Sequence, residues 1–409
     1  MSRRPSILFV NQHYWPDVAA TGQVLSDLAE FLVSAGYEIG VLCSRGGYEG
    51  GRVDAPGREI RRGVRVTRVP SPGFGRGSHG GRFVDYGAFL AQVAARLAWG
   101  RKWDLGVLLT TPSLLPVSGW IAERVRGRRY AVWSMDVHPE IEIALGILPA
   151  AVSRVLGPLD LASHARAEFV VALGACMRER LIAKGLPAAR IHTIPVWSRA
   201  DEVRPVERAG NRLAAELGLE DAFVVMYSGN AGLAHRFDEV LAAIGRLEGE
   251  AGLEFVFIGA GPRKPEILAR ANGTRNFRYL EYQPRGELGS SLSLGDVHLL
   301  TLRGDMAGLV VPVKLYGIMA AGRPVVMVGP RGSESARTIE REGIGHVVDP
   351  DELGAATTDR LVEVLRALRD DPAARRDMGE RARAAFLDRY ERERRCAEWE
   401  RLIRLAVER

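Results

Sequence analysis

Short runs of apolar residues alternate along the chain with longer stretches whose apolar residues recur every three or four positions. The first run covers residues 7–11, and Leu25, Leu28 and Leu32 follow at helical spacing before the next run at 39–43. Short apolar runs predict buried strands, and the wider spacing predicts amphipathic helices. This alternation of strand and helix indicates an α/β protein with parallel sheets.

The alternation occurs in two successive sets, as expected for a chain of 409 residues, which is long enough for more than one domain. The first set predicts strands at 7–11, 39–43, 64–69, 105–109, 130–134, 170–173 and 191–195. The second set predicts strands at 224–227, 255–258, 277–280, 297–301 and 325–327. Residues 196–210, with Pro205 and alternating charges, are typical of a linker. We therefore predict two doubly wound domains that bind ligands at the carboxyl ends of their strands.

A segment rich in glycine and arginine precedes one of the longer predicted helices. Residues 70–82 read PSPGFGRGSHGGR, which is typical of a mobile loop. Residues 83–99 then predict an amphipathic helix with a basic end. Such a helix fits either a surface that touches lipid headgroups or an ordinary helix packed on a sheet with solvated arginines.

Charge is distributed unevenly between the two halves of the chain. Residues 1–200 carry 25 Lys and Arg against 16 Asp and Glu, a net charge of +9, whereas the remainder carries −3. The excess indicates an anionic partner of the N-terminal half, such as a phospholipid surface or a phosphorylated lipid, although a general bias towards arginine explains it equally well. We expect no nucleic-acid partner, because no recognisable nucleic-acid-binding module occurs.

The three cysteines are far apart, which argues against a disulfide framework and against a zinc site, and we predict no metal site. No apolar run approaches the length of a membrane span, and the run at 7–10 is too short for a signal sequence. These features predict a cytoplasmic protein. A peripheral contact between its basic N-terminal domain and the anionic inner face of a membrane is compatible with the charge.

The stretch 303–326 predicts a phosphate site. Gly308 allows the backbone to approach a ligand, and Pro312 suits the first position of a helix. The first turn of a helix offers free N–H groups and a partial positive charge, and Lys314 adds a cation that suits a diphosphate. An ordinary helix–strand unit with a surface lysine explains the same pattern.

Polar residues also follow predicted strands of the first set. Thr21 and Gly22 lie in a turn of small residues at the start of a helix, which suits an anion or a sugar, or is a plain tight turn. Asp136 and His138 follow the strand at 130–134, where α/β sheets place ligands. Both side chains suit the binding of substrate hydroxyls, and His138 also suits proton transfer.

Five stretches, taken together and in this order, resemble the family 4 retaining glycosyltransferases with a GT-B fold, in the branch that builds bacterial surface polysaccharides. They are PDVAATGQ at 16–23, WSMD at 133–136, YSGNAGLAH at 227–235, FIGAGP at 257–262, and 297–322, which contains GLVVPVKLYGIMAAG. The resemblance covers nearly the whole chain. It implies two Rossmann-like domains that face a central cleft: an acceptor-side domain at 1–198 and a nucleotide-sugar-binding domain at 199–385. A C-terminal helix at 386–409 would cross back to the first domain.

The resemblance implies a retaining, metal-independent hexosyltransferase of polysaccharide or glycoconjugate biosynthesis. It would move a sugar from a nucleotide sugar, with UDP as the first choice of nucleotide, to a glycan, a lipid-linked saccharide or another acceptor, and it would need no cofactor. The implied catalytic residues are Asp136 and His138, which would face the transferred sugar, and Lys314 at the diphosphate. The implied donor-binding residues are Thr21, Gly22, Gly229, Asn230, His235, Arg236, Gly261, Tyr282, Gln283, Gly308, Leu309, Val310 and Lys314.

The chain departs from the family pattern in the C-terminal domain, where Leu233 stands in a loop that commonly carries Arg and Lys. The family commonly carries two glutamates eight positions apart, and this chain has Leu309 and Gly317 there. The chain therefore lacks the carboxylates at the positions where the family would recognise the ribose, and GDP and dTDP stay open beside UDP. A GT-B-type sugar-nucleotide epimerase and a non-catalytic nucleotide-sugar-binding protein are the alternative functions.

Overall fold

A computed structural model describes residues 4–17, 19–47, 53–70 and 79–409 of the chain. Two features singled out from the sequence fall partly beyond these residues. Val18, within the motif at 16–23, and residues 71–78 of the predicted loop at 70–82 lie outside the described part. The helix after this loop begins at His79, four residues before its predicted start.

The chain divides into two compact units, each built around one sheet. The first unit comprises Met1–Pro195, Gly308–Val310 and Glu393–Arg409, and the second comprises Val196–Ala307 and Val311–Arg392. The predicted fold class, α/β with two parallel-sheet domains, is thereby confirmed. The first unit ends three residues before the domain boundary that the sequence suggested, and the final segment joins it from Glu393 rather than from 386.

The first unit contains an eight-stranded sheet. Its strands are β1 (Ser6–Val10), β2 (Glu38–Ser44), β3 (Arg58–Arg61), β4 (Val64–Val69), β5 (Leu105–Leu109), β6 (Tyr130–Ser134), β7 (Val170–Ala172) and β8 (Ile191–Thr193). They are ordered β3-β4-β2-β1-β5-β6-β7-β8, and all neighbours are parallel except β3 and β4. Strands β1, β5 and β6 are buried along their whole length, which is why they read as continuous apolar runs in the sequence.

The antiparallel hairpin of β3 and β4 contains a strand that the sequence pattern missed. Strand β3 is only four residues long and has a single apolar residue, Ile60, among three charged ones, so it gives almost no periodic signal. Arg62 and Gly63 join the two strands with φ values of 46° and 83°. Positive φ at both central residues is typical of a two-residue hairpin turn that matches the twist of the strands.

The helices of the first unit are α1 (Ala20–Ser34), α2 (His79–Trp99), α3 (Leu115–Arg126), α4 (Glu140–Ala144), α5 (Ser153–Ala165) and α6 (Ala175–Ala183). The last helix of the chain, which spans Arg392–Val407 and is labelled α16 below, packs on this unit from Glu393 onwards. The ring of its Trp399 lies 4.5 Å from that of Trp133 on β6, and both side chains are fully buried. The Tyr37 hydroxyl donates to Glu400 over 2.8 Å. The final helix is therefore part of the first unit's core.

The second unit contains a six-stranded sheet in which all neighbours are parallel. Its strands are β9 (Phe223–Ser228), β10 (Leu253–Ile258), β11 (Phe277–Leu280), β12 (Val297–Thr301), β13 (Val325–Val328) and β14 (Gly345–Val348), in the order β11-β10-β9-β12-β13-β14. Its helices are α7 (Arg212–Leu217), α8 (Asp238–Arg246), α9 (Lys264–Ala271), α10 (Leu288–Ser293), α11 (Lys314–Ala320), α12 (Glu334–Glu342), α13 (Pro350–Leu353), α14 (Thr357–Asp370) and α15 (Pro372–Ala385). One core cluster packs Phe255 and Phe257 of β10 against α8 and α14. None of the helices in the described residues combines the length and the apolar character that crossing a membrane requires.

Candidate active site

In the first unit, the loop that carries Asp136 and His138 leaves the carboxyl end of β6 and enters α4. The Thr110 hydroxyl, at the end of the neighbouring β5, accepts hydrogen bonds from the backbone N–H groups of Met135 (3.0 Å) and Asp136 (3.1 Å). A side chain of one strand end thus holds the backbone of the next. This places Asp136 and His138 at the edge of the sheet where parallel α/β folds bind ligands.

His138 is held by a carboxylate that the sequence reasoning missed. Its Nδ1 atom lies 2.8 Å from Oε1 of Glu142, one helical turn further on, and the Ser113 hydroxyl donates to the same oxygen. Because an ionised carboxylate only accepts hydrogen bonds, Nδ1 carries the proton. The other ring nitrogen, Nε2, is buried and has no hydrogen-bond partner among the residues that the structure describes. The spacing of His138 and Glu142, four positions apart, was the available sequence signal.

The charges of this cluster depend on one another. Burial by itself lowers the pKa of His138. The hydrogen bond to Glu142 and the negative charges of Glu142, Asp136 and Asp160 raise it by a larger amount, so the net shift is upward. Burial raises the pKa of Glu142, but its hydrogen bond with His138 and the charge of His138 lower it to below the ordinary value. Burial raises the pKa of Asp136, and the charge of His138 only partly opposes this. The cluster therefore favours an ion pair between His138 and Glu142.

Lys184, the residue that follows helix α6, supports the same loop. Its Nζ atom donates a hydrogen bond to the backbone oxygen of His138. The same atom lies 2.8 Å from a carboxylate oxygen of Glu140 and 2.8 Å from one of the buried Asp160. Lys184 lies far from these residues in the sequence, so no local pattern reveals this contact. The loop is thus fixed at its backbone by Lys184 and at its histidine by Glu142.

The segment Gly308–Val310, predicted to meet the diphosphate, lies beside this loop and is grouped with the first unit. The backbone N–H of Val137 donates to the oxygen of Leu309 over 2.9 Å, and Asp136 forms an isolated antiparallel bridge with Val310. Gly308 has a φ of 76°, and a Cβ atom there would lie 2.8 Å from the backbone oxygen of Cys176. Glycine is therefore required at 308 for this close approach.

Thr21 and Gly22 lie in the first turn of α1, beside the loop that follows β1. The Asn11 side-chain amide donates to the Thr21 hydroxyl (3.3 Å) and to the backbone oxygen of His13 (2.7 Å). A Cβ atom on Gly22 would lie 3.2 Å from the backbone of His13 and Tyr14. The small residues therefore allow the helix start to pack directly against the loop, which is a structural reason for their presence.

In the second unit, Lys314 is the first residue of α11, a helix of seven residues. Its Nζ atom donates to the Tyr227 hydroxyl over 2.6 Å and lies 3.9 Å from the centre of the Tyr227 ring. Among the described residues, no carboxylate forms an ion pair with Lys314. Burial lowers the pKa of Lys314 to about 7. An anion placed against this ammonium would restore its charge, because an opposite charge favours the protonated form.

The glycine-rich loops after β9 and β10 pack against each other next to Lys314. A Cβ atom on Gly261, where φ is 130°, would lie 2.4 Å from Oδ1 of Asn230. A Cβ atom on Gly229 would lie 3.5 Å from Nζ of Lys314. The Tyr227 hydroxyl donates to the backbone oxygen of Asn230 over 3.0 Å, so the tyrosine that holds the lysine also holds this loop.

The remaining predicted donor residues of the second unit differ in their surroundings. His235 donates from Nδ1 to the backbone oxygen of Thr301, and burial together with the charge of Lys314 lowers its pKa to about 3, so it is neutral. Arg236 is paired with Glu239 on α8. Tyr282 is 48% exposed in the loop after β11, and the Gln283 side-chain amide donates within that loop, to the oxygen of Glu281.

Each unit therefore gathers part of the predicted set. The first unit places Asp136 and His138 beside Gly308–Val310, with Thr21 and Gly22 on another loop at the same edge of the sheet. The second unit gathers residues around Tyr227, namely Gly229, Asn230, His235, Gly261 and Lys314. The sequence reasoning missed Ser113, Glu142, Lys184 and Tyr227. The roles of the predicted residues in binding and catalysis stay predictions.

Comparison with protein families agrees with the two-unit division. Residues 20–197 match the model of a glycosyl transferase 4-like domain, and residues 222–367 match the model of glycosyl transferases group 1. Among similar proteins, the putative colanic acid biosynthesis glycosyl transferase WcaI of Escherichia coli is 25% identical over 365 residues, covering 85% of this chain and 89% of WcaI. The probable glycosyltransferase WbjE of Pseudomonas aeruginosa is 28% identical over 269 residues, covering 65% of this chain and 67% of WbjE.

Solved structures show the same fold at low sequence identity. Sucrose-phosphate synthase from Thermosynechococcus elongatus aligns with a TM-score of 0.76 at 16% identity, over 98% of this chain and 99% of the other. HepE from Anabaena, solved in complex with UDP and glucose, aligns with a TM-score of 0.73 at 15% identity, again over 98% and 99%. These findings confirm the resemblance found in the sequence motifs. Two family models match the two halves of the chain in order, the similar proteins are described as glycosyltransferases, and the fold is shared over nearly the whole length. The chain belongs to the family 4 glycosyltransferases with the GT-B fold.

Proposed function

We propose that this glycosyltransferase transfers a sugar from a nucleoside diphosphate sugar with retention of anomeric configuration and without a metal ion. The observation that carries the proposal is the Lys314 ammonium, which is held by the Tyr227 hydroxyl and ring and has no carboxylate partner among the described residues. Burying an ammonium that no anion compensates is unfavourable, as its lowered pKa of about 7 reflects. A diphosphate is the anion that the family's chemistry would bring to it.

The leaving group of the reaction supports this role for Lys314. When the bond between sugar and diphosphate breaks, negative charge develops on the phosphate oxygens, and a fixed cation in a desolvated site stabilises it. Lys314 supplies such a cation from the protein itself. Retention follows the family pattern, in which the acceptor hydroxyl attacks on the face of the leaving group.

Asp136 and His138 are proposed to bind hydroxyl groups of the transferred sugar. A buried nitrogen at His138 without a hydrogen-bond partner among the described residues supports this role, because buried polar groups are normally paired and a sugar hydroxyl would supply the missing partner. The carboxylate of Asp136 lies on the same loop and accepts hydrogen bonds when ionised.

We propose UDP as the nucleotide and a glycan or a lipid-linked saccharide as the acceptor, in the synthesis of a polysaccharide or glycoconjugate. HepE binds UDP and glucose on the same fold, and WcaI is described as an enzyme of colanic acid biosynthesis, which supports both choices. A thermal-shift screen with UDP, GDP, dTDP and ADP tests the nucleotide, since a ligand that binds the folded state raises Tm. A larger shift with GDP or dTDP than with UDP would replace UDP in the proposal.

Slow hydrolysis of the donor tests the chemistry without knowledge of the acceptor. Proton NMR of the released sugar should show the anomer of the donor first, and EDTA should leave the rate unchanged. Release of the opposite anomer would contradict retention, and loss of activity in EDTA that a divalent cation restores would contradict metal independence. Inversion at C2 of the sugar would instead indicate an epimerase.

We also propose that the basic N-terminal unit contacts an anionic membrane surface. The net charge of +9 on residues 1–200 supports this, because each basic residue near an anionic leaflet strengthens binding. Co-sedimentation with phosphatidylglycerol vesicles tests it, and a protein that stays in the supernatant at low salt would contradict it.

A further inference from the structure

A groove lies on one face of the first unit's sheet, across β1, β2, β3 and β4 and next to the end of α2. We call it the sheet-face groove, with an apolar floor that includes Leu8 and Leu42, the exposed Ile60, and the side chains of Arg58, Arg96 and Trp103 at its margins. Its volume is about 590 Å³. This lies within the range of ligand-binding cavities, which is on the order of 300–1,000 Å³.

The shape of the groove depends on a glycine and a tryptophan. A Cβ atom on Gly40 of β2 would lie 2.4 Å from the Trp103 ring, so only glycine lets this ring pack against the strand. At the other side, Ile60 of β3 is 70% exposed. The floor between them is lined by Leu8 and Leu42, whose side chains lie at the bottom of the groove and are largely buried.

The margins of the groove carry more positive than negative charge. Arg65 and Arg101 share one carboxylate, that of Glu38. Arg58 and Arg96 form no ion pair with any carboxylate of the described residues. Glu59 also lines the groove, but it pairs with Arg68. Two arginines without an ion-pair partner among the described residues, beside an apolar floor, fit a ligand with a phosphate at one end and a hydrocarbon chain at the other.

A tryptophan next to the groove favours a lipid over a soluble anion. Trp99, the last residue of α2, is 64% exposed, and the guanidinium of Arg126 lies 6.0 Å from its ring. Exposed tryptophan and arginine side chains are typical of surfaces that lie at the headgroup level of a bilayer. A free phosphate ion would use the arginines but leave the apolar floor and Trp99 in water.

We propose that the sheet-face groove binds the headgroup phosphate and upper acyl chain of an anionic phospholipid and so attaches the first unit to a membrane. The inference rests on the proposed membrane contact and names the site that makes it. Asp136 and His138 follow the carboxyl end of β6, whereas the groove covers the face of β1–β4. Lipid in the groove therefore leaves the loop of Asp136 and His138 accessible.

Co-sedimentation of the full chain with vesicles of phosphatidylcholine, with and without phosphatidylglycerol, tests the groove. The variants are Arg58→Gln and Arg96→Gln, and the matched control is Arg154→Gln, which removes an exposed arginine from α5. Each groove variant should lower partitioning into phosphatidylglycerol vesicles about fivefold, the contribution of one basic residue near an anionic surface. The control should have a much smaller effect. Ile60→Ser should also lower partitioning, at unchanged net charge.

Brominated acyl chains provide a second readout, because bromine quenches tryptophan fluorescence on contact. Vesicles with brominated phosphatidylglycerol should quench the wild-type protein, and Trp99→Phe should remove part of that quenching. Trp99 is exposed, so this variant should fold normally.

The outcomes separate the two proposals. Absence of wild-type binding to phosphatidylglycerol vesicles would overturn both the membrane contact and the groove. Binding that Arg58→Gln, Arg96→Gln and Arg154→Gln weaken equally would overturn the groove but leave the membrane contact in place. Donor hydrolysis by the groove variants should equal that of the wild type, and its loss would show that the groove serves catalysis rather than attachment.

Discussion

The imidazole of His138 and the carboxylate of Glu142 form a buried pair, with Nδ1 of the histidine 2.8 Å from Oε1 of the glutamate. The Ser113 hydroxyl donates to the same carboxylate, and Lys184 holds the backbone of His138. This network fixes which ring nitrogen carries the proton and leaves Nε2 without a hydrogen-bond partner among the described residues. Glu142 is therefore a positioning residue: it orients the imidazole ring of His138 and hence the direction in which Nε2 can form a hydrogen bond.

Glu142→Gln should destabilise the protein most at acidic to neutral pH. The pKa of His138 is raised, so its stabilisation is complete below the ordinary histidine pKa and is lost as pH rises through the raised value. The pKa of Glu142 is lowered, so its stabilisation is present above the ordinary glutamate pKa and is lost as pH falls through the lowered value. Between these limits the pair is charged, and its loss should cost about 1.5–3 kcal/mol, the range for hydrogen bonds to charged groups.

Urea unfolding at about pH 6 and at a pH above the raised pKa of His138 measures this difference, because the histidine loses its charge as pH rises through that pKa. Glu140→Gln on the same helix is the matched control, since its partner is Lys184 rather than a histidine. An equal loss of unfolding free energy at both pH values for Glu142→Gln would show that the ion pair does not form.

Lys314→Ala should weaken binding of the nucleoside diphosphate by about 1–3 kcal/mol, the loss expected for a charge-assisted hydrogen bond. Tyr227→Phe keeps the ring beside Lys314 but removes the hydroxyl that accepts from Nζ, so it should weaken binding less, by about 0.5–1.5 kcal/mol. Isothermal titration calorimetry with UDP measures both. Unchanged affinity in Lys314→Ala would remove this residue from the donor site.

Donor binding should also take up a proton. The pKa of Lys314 is lowered to about 7 in the free protein, so at about pH 8 the amine is mostly neutral, and the bound diphosphate should return it to the charged form. The measured heat should then depend on the ionisation enthalpy of the buffer, with an uptake of up to about one proton, and affinity should fall as pH rises above about 7. Lys314→Arg should bind without this uptake, because guanidinium stays charged. A wild-type binding heat that is the same in all buffers would contradict the prediction.

Asp136→Asn should slow transfer on the order of 100-fold, within the range for a positioned acid–base or polar group, and should leave affinity for the nucleoside diphosphate nearly unchanged. The asparagine keeps the size of the side chain and the backbone bond from residue 136 to the Thr110 hydroxyl. Steady-state kinetics with a UDP-sugar, together with calorimetry on UDP, separates the two effects. Wild-type turnover in this variant would show that Asp136 does not face the transferred sugar.

Trp399→Ala should destabilise the first unit by about 3–5 kcal/mol, the usual cost of removing a large buried aromatic side chain. Trp399 is fully buried against Trp133, whereas Leu405 on the same helix is 52% exposed, so Leu405→Ala is the matched control. Denaturant unfolding followed by circular dichroism measures both. Similar small losses in the two variants would contradict the packing of the last helix in the core.

The α/β class could be predicted from the local sequence pattern because burial of a strand or helix determines which of its positions are apolar. Strands such as β5 and β12, covered on both faces, need apolar residues at every position, and the helices between them need an apolar stripe. Strand β3 was not predicted because one apolar residue among three charged ones at a sheet edge gives no such pattern. The glycine at 308 was also predicted from the sequence, since a Cβ atom there would lie too close to the neighbouring backbone.

The amino-acid sequence by itself thus determined the alternation of strands and helices, its division into two sets and the loops where polar residues gather. Only the tertiary structure decided that Tyr227 holds Lys314, that Lys184 holds the His138 loop, and that Arg129 reaches a backbone oxygen 277 positions away, at Ala406. Local periodicity reports whether a side chain faces the core. It does not report which distant group completes its hydrogen bond, because chain topology chooses that partner, nor its pKa, which depends on the desolvation and charges of the assembled fold.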